Sequence, residues 1–548
     1  MRKARQPRSK RKATCEYLPS RKREGNQMNL GKAIGTIGGL TMVSRVLGFA
    51  REMIASRILG AGAAAEVFQL AFLIPNLFRR LFGEGAFSSG FVPLFSQRLN
   101  GEGGIEDAQE FANEVLAVFA PVLMLISALF MIFMPGFIAL MVPDDWGGGV
   151  EKTRFAVELT RITMPYMVFI CIVSLLSGVL NSLTRFTAAA FAPALLNIAL
   201  VGALLLVRDG GATTARAMAV AVIIGGIFQV ALCWISVRRA GVRLSLRTPK
   251  LTPRVKELFI LVLPATLAGG IYYLSQFFYA FFATRLPEGT LVYLAYADRL
   301  NQLPLAIIGS ALGTAILPSV SKAVETGDGS DAGRIQGQAV EIGMLLTLPA
   351  AVALAVVAGP IAAALFQGGR FDAEDARLTG LVLSIIVAGL PAYVLIKVLT
   401  PGFYARKDMK TPVWIAVAML MAGVALNFAL LGTMGIATLP FTTALTAWGN
   451  CLILYGILHR RGHFRLEGWL VSRLIRQLIA AAAMGAVLWF LVGQMSGLFA
   501  GSVGERLVSI AALVSAGGAV YFGLGWMIGA INRDDVMILL RRKKVSAD

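Results

Sequence analysis

FANEVLAVFAPVLMLISALFMIFM, residues 111–134, is apolar throughout except for Asn113, Glu114 and Ser127. As a helix rising 1.5 Å per residue, it is long enough to cross a hydrocarbon layer about 30 Å thick. Runs of this kind recur along the whole 548-residue chain, which is 57% hydrophobic and 15% charged with a mean hydropathy of +0.71. A soluble domain carries roughly 25% charged residues. The composition therefore excludes a soluble enzyme, a disordered scaffold and a secreted disulfide module. A transmembrane β-barrel would show short alternating strands instead. The chain reads as an all-α, polytopic membrane protein.

Fourteen spans are expected, at 33–58, 64–82, 111–134, 153–181, 187–207, 213–237, 255–284, 288–317, 336–366, 378–404, 412–432, 436–458, 470–494 and 506–530. Residues 83–98 (GEGAFSSGFVPLFSQR) are too short to span and read as a re-entrant or interfacial helix. Basic residues orient the whole. The N-terminal tail, the C-terminus and the loops after even-numbered spans hold 35 of the 51 Lys and Arg, and the opposite loops hold eight. The positive-inside rule then places both termini in the cytoplasm. It also explains the net charge of +20 without nucleic acid.

Residues 1–27 carry ten Lys/Arg and no apolar run, so they read as a disordered basic tail. GFVPLFS (90–96) echoes AILPSVS (315–321), and PYMVFI…GVLNSLTRFT (165–187) echoes PAYVLI…GFYARKDMKT (391–411). The chain thus divides into an N-terminal lobe (28–240, six spans), a C-terminal lobe (241–465, six spans) and an appendix of two spans with a cytoplasmic tail (466–548). The four cysteines lie far apart, and His459 and His463 share one basic loop, so neither disulfides nor zinc are expected. Gly31-Lys32 lacks the P-loop's earlier glycine, and no nucleophile–base pair stands out. Neither an enzyme, a cofactor nor ATP bound by this chain is expected.

The informative residues are cations inside the spans. A charge at mid-bilayer costs on the order of 2.5–3.5 kcal/mol and usually faces a polar interior. Arg57, Arg80 and Arg161 sit near span ends and are expected to snorkel. Arg45 and Arg299 are too deep for that, and Arg51 and Arg79 join them. Four guanidiniums outnumber the nearby acids, Glu52 and Asp298, and Glu52 can partner Arg45 or Arg51. An anion would balance the excess, and arginine binds phosphate in bidentate fashion. Lys397, with no carboxylate within a turn, either snorkels or binds the anion from the second half. Gly35, Gly38, Gly39 and Gly48, with Gly269-Gly270 in the corresponding helix, serve either hinges or close packing. The Gly309/Gly313 pair reads as a helix contact.

TMVSRVLGFAREMIASRILGAG (41–62), FLIPNLFRRLFGEGAFSSGFVPLFS (72–96), YADRLNQLPLAIIGSALGTAILPSVS (296–321) and KVLTPGFYARKDMKTP (397–412) resemble the MurJ/MviN lipid II flippases of the MOP exporter superfamily. The similarity runs from Met28 onward. It implies two six-helix lobes in a V around a cationic cavity, with two extra helices shaping a groove for an undecaprenyl tail. It implies export of lipid II, the peptidoglycan precursor, across a bacterial inner membrane by alternating access. Arg45, Arg51, Arg79 and Arg299 match the family's cavity arginines and would hold the diphosphate. Supporting roles are expected for Glu52, Glu66, Asp298, Arg80, Ser44 and Lys397. Glu52 and Glu66 stand where the family commonly has aspartate, and Gln302 where some relatives have glutamate. Asn181 and Pro193 match without an assigned duty. The expected partners are lipid II and membrane lipids, with no nucleic acid, and the protein is expected to be a monomer. Carboxylates for ion coordination cannot be placed, so the driving force stays open between ions and membrane potential. The alternatives are another MOP exporter, such as a polysaccharide-lipid flippase, or a non-transporting scaffold for wall synthesis.

Overall fold

The expected spans are helical, and several are broken where the backbone chemistry requires it. The first, α1 (Leu30–Leu59), turns at Gly60 and returns as α2 (Ala63–Gly83). Gly60 has φ +66°, and a Cβ there would lie 2.6 Å from the Arg370 carbonyl oxygen, so no other residue fits. The helix expected near 83–98 is α3 (Ala86–Leu99). One face of it is buried, and Ser89, Pro93 and Gln97 stay exposed on the other. Phe87, Phe91 and Phe95 recur every fourth residue, all are buried, and the first two stack on Phe119 and Phe111 of α4 (Gly104–Met141). The span expected at 153–181 is two helices, α5 (Gly149–Thr163) and α6 (Tyr166–Ser182), because Pro165 has no amide hydrogen to continue the ladder. Helices α7 (Thr187–Leu206) and α8 (Ala212–Arg239) follow.

The chain then runs extended across α4. Backbone amides of Arg243 and Ser245 donate to Gln109 Oε1 (2.7 Å) and Asn113 Oδ1 (2.8 Å). The polar Asn113 in the 111–134 stretch is thereby buried and satisfied. Thr252 caps α9 (Pro253–Ala283), whose leading proline costs no hydrogen bond at that position. The 288–317 span is α10 (Thr290–Pro304), a π-turn at Leu305–Gly309, and α11 (Ser310–Glu325). Next come α12 (Gly329–Val356), α13 (Ala358–Phe366), α14 (Ala373–Ile386) with an Asp372/Asp375 capping box, and, after a 3₁₀ turn, α15 (Leu390–Tyr404). Helices α16 (Lys410–Met434), α17 (Thr438–Arg460), α18 (Gly468–Gln494), the short α19 (Ser496–Phe499) and α20 (Val503–Met527) complete the chain.

This computed structural model describes residues 30–83, 86–326, 329–499 and 501–531. The expected basic tail at 1–27 lies outside them, as do the side chains of Arg79 and Arg80 on α2. Among the described residues, nine helical stretches are long and apolar enough to cross a membrane, one of which, Lys410–Arg460, contains both α16 and α17. The other expected spans, α1, α2, α9 and α10 with α11, are helical over their residues. The chain is a multi-pass α-helical membrane protein. Among the described residues it has no strand beyond one isolated bridge, Gly368 with Phe371.

Three apolar cores hold the helices. The largest joins α1–α8 with α9, α10, α13 and α14, a second joins α11, α12 and α15–α17, and a third seats α18 and α20 on α12. Contacts between the first eight helices and α10–α14 gather at one end of the bundle. There Ser56 Oγ donates to the Phe366 carbonyl, Arg370 N to the Arg57 carbonyl, and Arg370 Nη1 to the Gly210 carbonyl. Toward the other end, the first turns of α9 lie on α3, where Val262 and Leu258 fill the space left by Gly90.

Candidate functional site

Below the sealed end, Glu52 of α1 gathers two guanidiniums from opposite halves of the chain. Arg51 Nη2 donates to Glu52 Oε1 at 2.8 Å. Arg299 of α10 donates through Nε to both carboxylate oxygens at 3.0 Å and through Nη2 to Oε1 at 2.5 Å. The Glu52 side chain is 9% exposed while that of Arg299 is 44% exposed, so the carboxylate is inside and one cation faces open space. Within this bridge two guanidiniums share one carboxylate.

A residue from the apolar 187–207 run completes it. Asn197 Oδ1 accepts from Arg51 Nη1 (3.2 Å), and its Nδ2 donates to the Ser44 carbonyl (3.2 Å). Asn197 thus fixes Arg51 by tying α7 to the backbone of α1. Gly48 lies under this contact, where a Cβ would be in van der Waals contact with Asn197 Nδ2 at 3.4 Å. This glycine packs, whereas Gly35, Gly38 and Gly39 have open space around them. Sequence reasoning missed Asn197, although a lone amide four residues after Pro193 was a usable signal. Ser44 contributes its carbonyl oxygen to this contact.

Arg45 is exposed and makes no ion pair among the described residues. Seven residues before Glu52, it lies on the same helix face about 10 Å further from the sealed end. Of the four expected arginines, the structure brings Arg51 and Arg299 together and aligns Arg45 with them. For Arg79 only the place on α2 is described. Asp298 adds a second carboxylate beside Arg299. It accepts from the Gln302 amide.

Glu66 serves elsewhere. Its side chain and that of Lys152 are 2% and 3% exposed, with Lys152 Nζ 2.8 Å from Glu66 Oε2. Glu66 Oε1 accepts from the Leu291 amide at the start of α10 (3.3 Å), and Lys152 lies over the Trp146 ring and 3.6 Å from Glu288. This buried pair joins α2, α5 and α10 at the sealed end. Arg57 departs from the snorkelling expectation. Its Nε and Nη2 are buried without a partner among the described residues, held in by the Gly368–Arg370 turn. Arg161 does reach outward and donates to the Met131 carbonyl. Lys397 turns away from the end of α15 and lies against Gly309. Outside the spans, Arg461 and Thr411 hold the Asp408 carboxyl down to about 2, well below the usual carboxylate range. No group of three or more His, Cys, Asp or Glu among the described residues could hold a metal ion.

The profile of one family, described as lipid II flippase MurJ, matches residues 55–509. The chain belongs to that family. A probable lipid II flippase MurJ of Rhizobium tropici is 38% identical over 526 residues, covering 94% of this chain and 98% of that protein. The lipid II flippase MurJ of Burkholderia cenocepacia is 34% identical over 510 residues, covering 92% and 98%. Among solved structures, a MurJ lipid II flippase in an inward closed conformation matches with a TM-score of 0.73 at 21% identity, covering 92% of this chain and 99% of that one. An inward-facing MATE multidrug transporter of the MOP superfamily matches at 0.63 and 15% identity over 78% of this chain. These two likenesses establish a shared fold. The MurJ match leaves less than a tenth of the chain uncovered, whereas the MATE match leaves about a fifth.

Proposed function

We propose that this protein is a lipid II flippase, a transporter and not an enzyme, that carries the lipid-linked disaccharide-peptide from the cytoplasmic to the periplasmic leaflet of a bacterial inner membrane. Family membership supplies the substrate. The observation that carries the mechanism is the Arg51–Glu52–Arg299 bridge, one carboxylate holding guanidiniums from two halves that alternating access must separate. Residues 28–240 and 241–465 act as the two lobes, with 466–548 as the appendix. Both termini lie in the cytoplasm, so the sealed end is periplasmic and the cavity takes its load from inside. The protein works as a monomer with membrane lipids around it and no nucleic acid partner.

In this mechanism the diphosphate competes with Glu52 for Arg299 and Arg51, and Arg45 and Arg79 guide it inward. Arg80, Asp298 and Ser44 support the site, Asp298 by holding Gln302. Once the anion neutralises the arginines, the loaded cavity moves outward without opposing electrical work, and the roughly 2.3 kcal/mol per charge per 100 mV that the membrane potential supplies falls on the return step. The same potential draws the empty cationic cavity back, so neither a cofactor nor a dedicated ion is needed. Rescue of wall growth in cells depleted of their own lipid II flippase tests the assignment. Failure of a stably inserted chain to rescue would refute it, and a drug antiporter with an acidic cavity would fail that test.

A further inference from the structure

Lys397 occupies a seat that the sequence did not show. A Cβ on Gly309 would lie 2.9 Å from Lys397 Cδ and 3.2 Å from Nζ, and one on Gly313 would lie 4.0 Å from Lys397 Cβ. The lysine stem therefore lies along the α10–α11 helix where the π-turn ends. That turn inserts an extra residue into the helical register, a device found often at functional sites. On α15 the polar positions that stay accessible, Tyr393, Lys397, Thr400 and Tyr404, are spaced at three and four residues, with Leu395 and Ile396 half-buried beside them. A lipid-facing stripe looks different. On α16 it is Trp414, Met421 and Phe428. The α15 stripe is amphipathic, so it borders a watery space, and Lys397 has no ion pair or hydrogen bond among the described residues.

This seat lies on the same helix as Arg299. Ten residues separate Arg299 from Gly309, a rise of about 15 Å away from the sealed end. Leu303 of α10 and Ile307 of the π-turn are the exposed positions between them, with no charge. One anionic group cannot reach both cations at once. A head group that bridges the two must include the sugar that joins diphosphate to peptide as well as the first few peptide residues.

We infer that Lys397 is a second anion subsite that takes a carboxylate of the substrate's peptide while the arginine cluster holds the diphosphate. This rests on the flippase reading and adds to it the part of the substrate that Lys397 recognises. The apolar stretch between the subsites leaves room for the sugars, and the two charges fix the length of the head group that fits. A lysine suits the task, because one ammonium serves a single carboxylate without the bidentate demand that phosphate places on arginine.

The test compares two ligands on the purified full chain: lipid II and peptide-free undecaprenyl diphosphate. Lys397→Met should weaken lipid II binding by about tenfold or more, the range of a lost charge-assisted hydrogen bond, and leave undecaprenyl diphosphate binding as it was. Lys397→Arg should restore most of the loss. Lipid II with its peptide carboxylates amidated should bind wild type as weakly as unmodified lipid II binds Lys397→Met. Equal weakening toward both ligands would overturn the inference and make Lys397 a diphosphate ligand. No change toward either would overturn it as well. Arg299→Ala separates this from the parent reading, since it should weaken both ligands, and its failure to do so would count against the flippase site itself.

Discussion

Replacing Lys152 by Met strands the Glu66 carboxylate where it is 2% exposed, with only the Leu291 amide left to it. Removing one partner of a buried pair typically costs about 3–5 kcal/mol, far more than the intact pair contributes. A stranded carboxyl has one escape, which is to take up a proton. For an ordinary glutamate this costs about 1.4 kcal/mol for each pH unit above roughly 4.3, or about 3.7 kcal/mol at pH 7. That sets the ceiling on the penalty at pH 7. When the end opens, water reaches the carboxylate and the penalty vanishes, so the substitution acts on the closed-to-open equilibrium. A shift of about 3 kcal/mol is more than a hundredfold in that ratio. The assay is labelling of Ala61→Cys, a 5%-exposed position in the α1–α2 turn, by an impermeant thiol reagent in a background without the native cysteines. Lys152→Met should raise the labelling at pH 7 strongly, and the excess should shrink toward pH 5 as the carboxyl protonates. Adding Glu66→Gln should restore slow labelling at both pH values. Labelling unchanged by Lys152→Met, or an increase independent of pH, would refute the idea that this pair seals the end.

Four further outcomes are expected. Asn197→Leu should reduce transport and leave insertion intact, because Arg51 loses the amide that aims it; the check is flipping rate against membrane level, with Arg51→Ala as the lower bound. Gly369→Ala should impair sealing, since its φ is +59° and a Cβ would lie 2.1 Å from the Arg57 carbonyl oxygen, whereas Gly62→Ala, with open space around it, should be silent in the same labelling assay. The Asp408 contribution to the start of α16 should be fully present above about pH 4 and fade as pH falls through about 2, because its folded value lies below the ordinary one. Hydrogen exchange at the Thr411 amide, which donates to Asp408, reads this directly. Flipping in proteoliposomes should follow the sign and size of a clamped potassium diffusion potential without a sodium or proton gradient, and indifference to both would return the question to ion coupling.

The sequence by itself determined that this is a polytopic helical membrane protein. Apolar runs long enough to span leave the backbone no other way to satisfy its polar groups in hydrocarbon. It also determined that Arg45, Arg51 and Arg299 need an explanation, because a cation deep in a span is costly wherever the helix goes. The turn at Gly60 was legible too, between two apolar runs, whereas the break at Pro165 was not, since a span was expected to run unbroken through it. Which cation meets which acid was not legible. Arg45 and Arg51 competed on local spacing for Glu52, yet the carboxylate goes to Arg51 and to Arg299, 247 residues away. Glu66 and Lys152, 86 residues apart, carry no mutual signal in the chain, because a buried pair is made by packing of α2 against α5. Helix packing also turned Arg57 inward, where distance to the helix end alone pointed it toward a surface, and it laid Lys397 on Gly309, where the sequence left snorkelling and anion binding both open. Local physics fixes what a helix must hide. Only the tertiary arrangement supplies the neighbour it is hidden against.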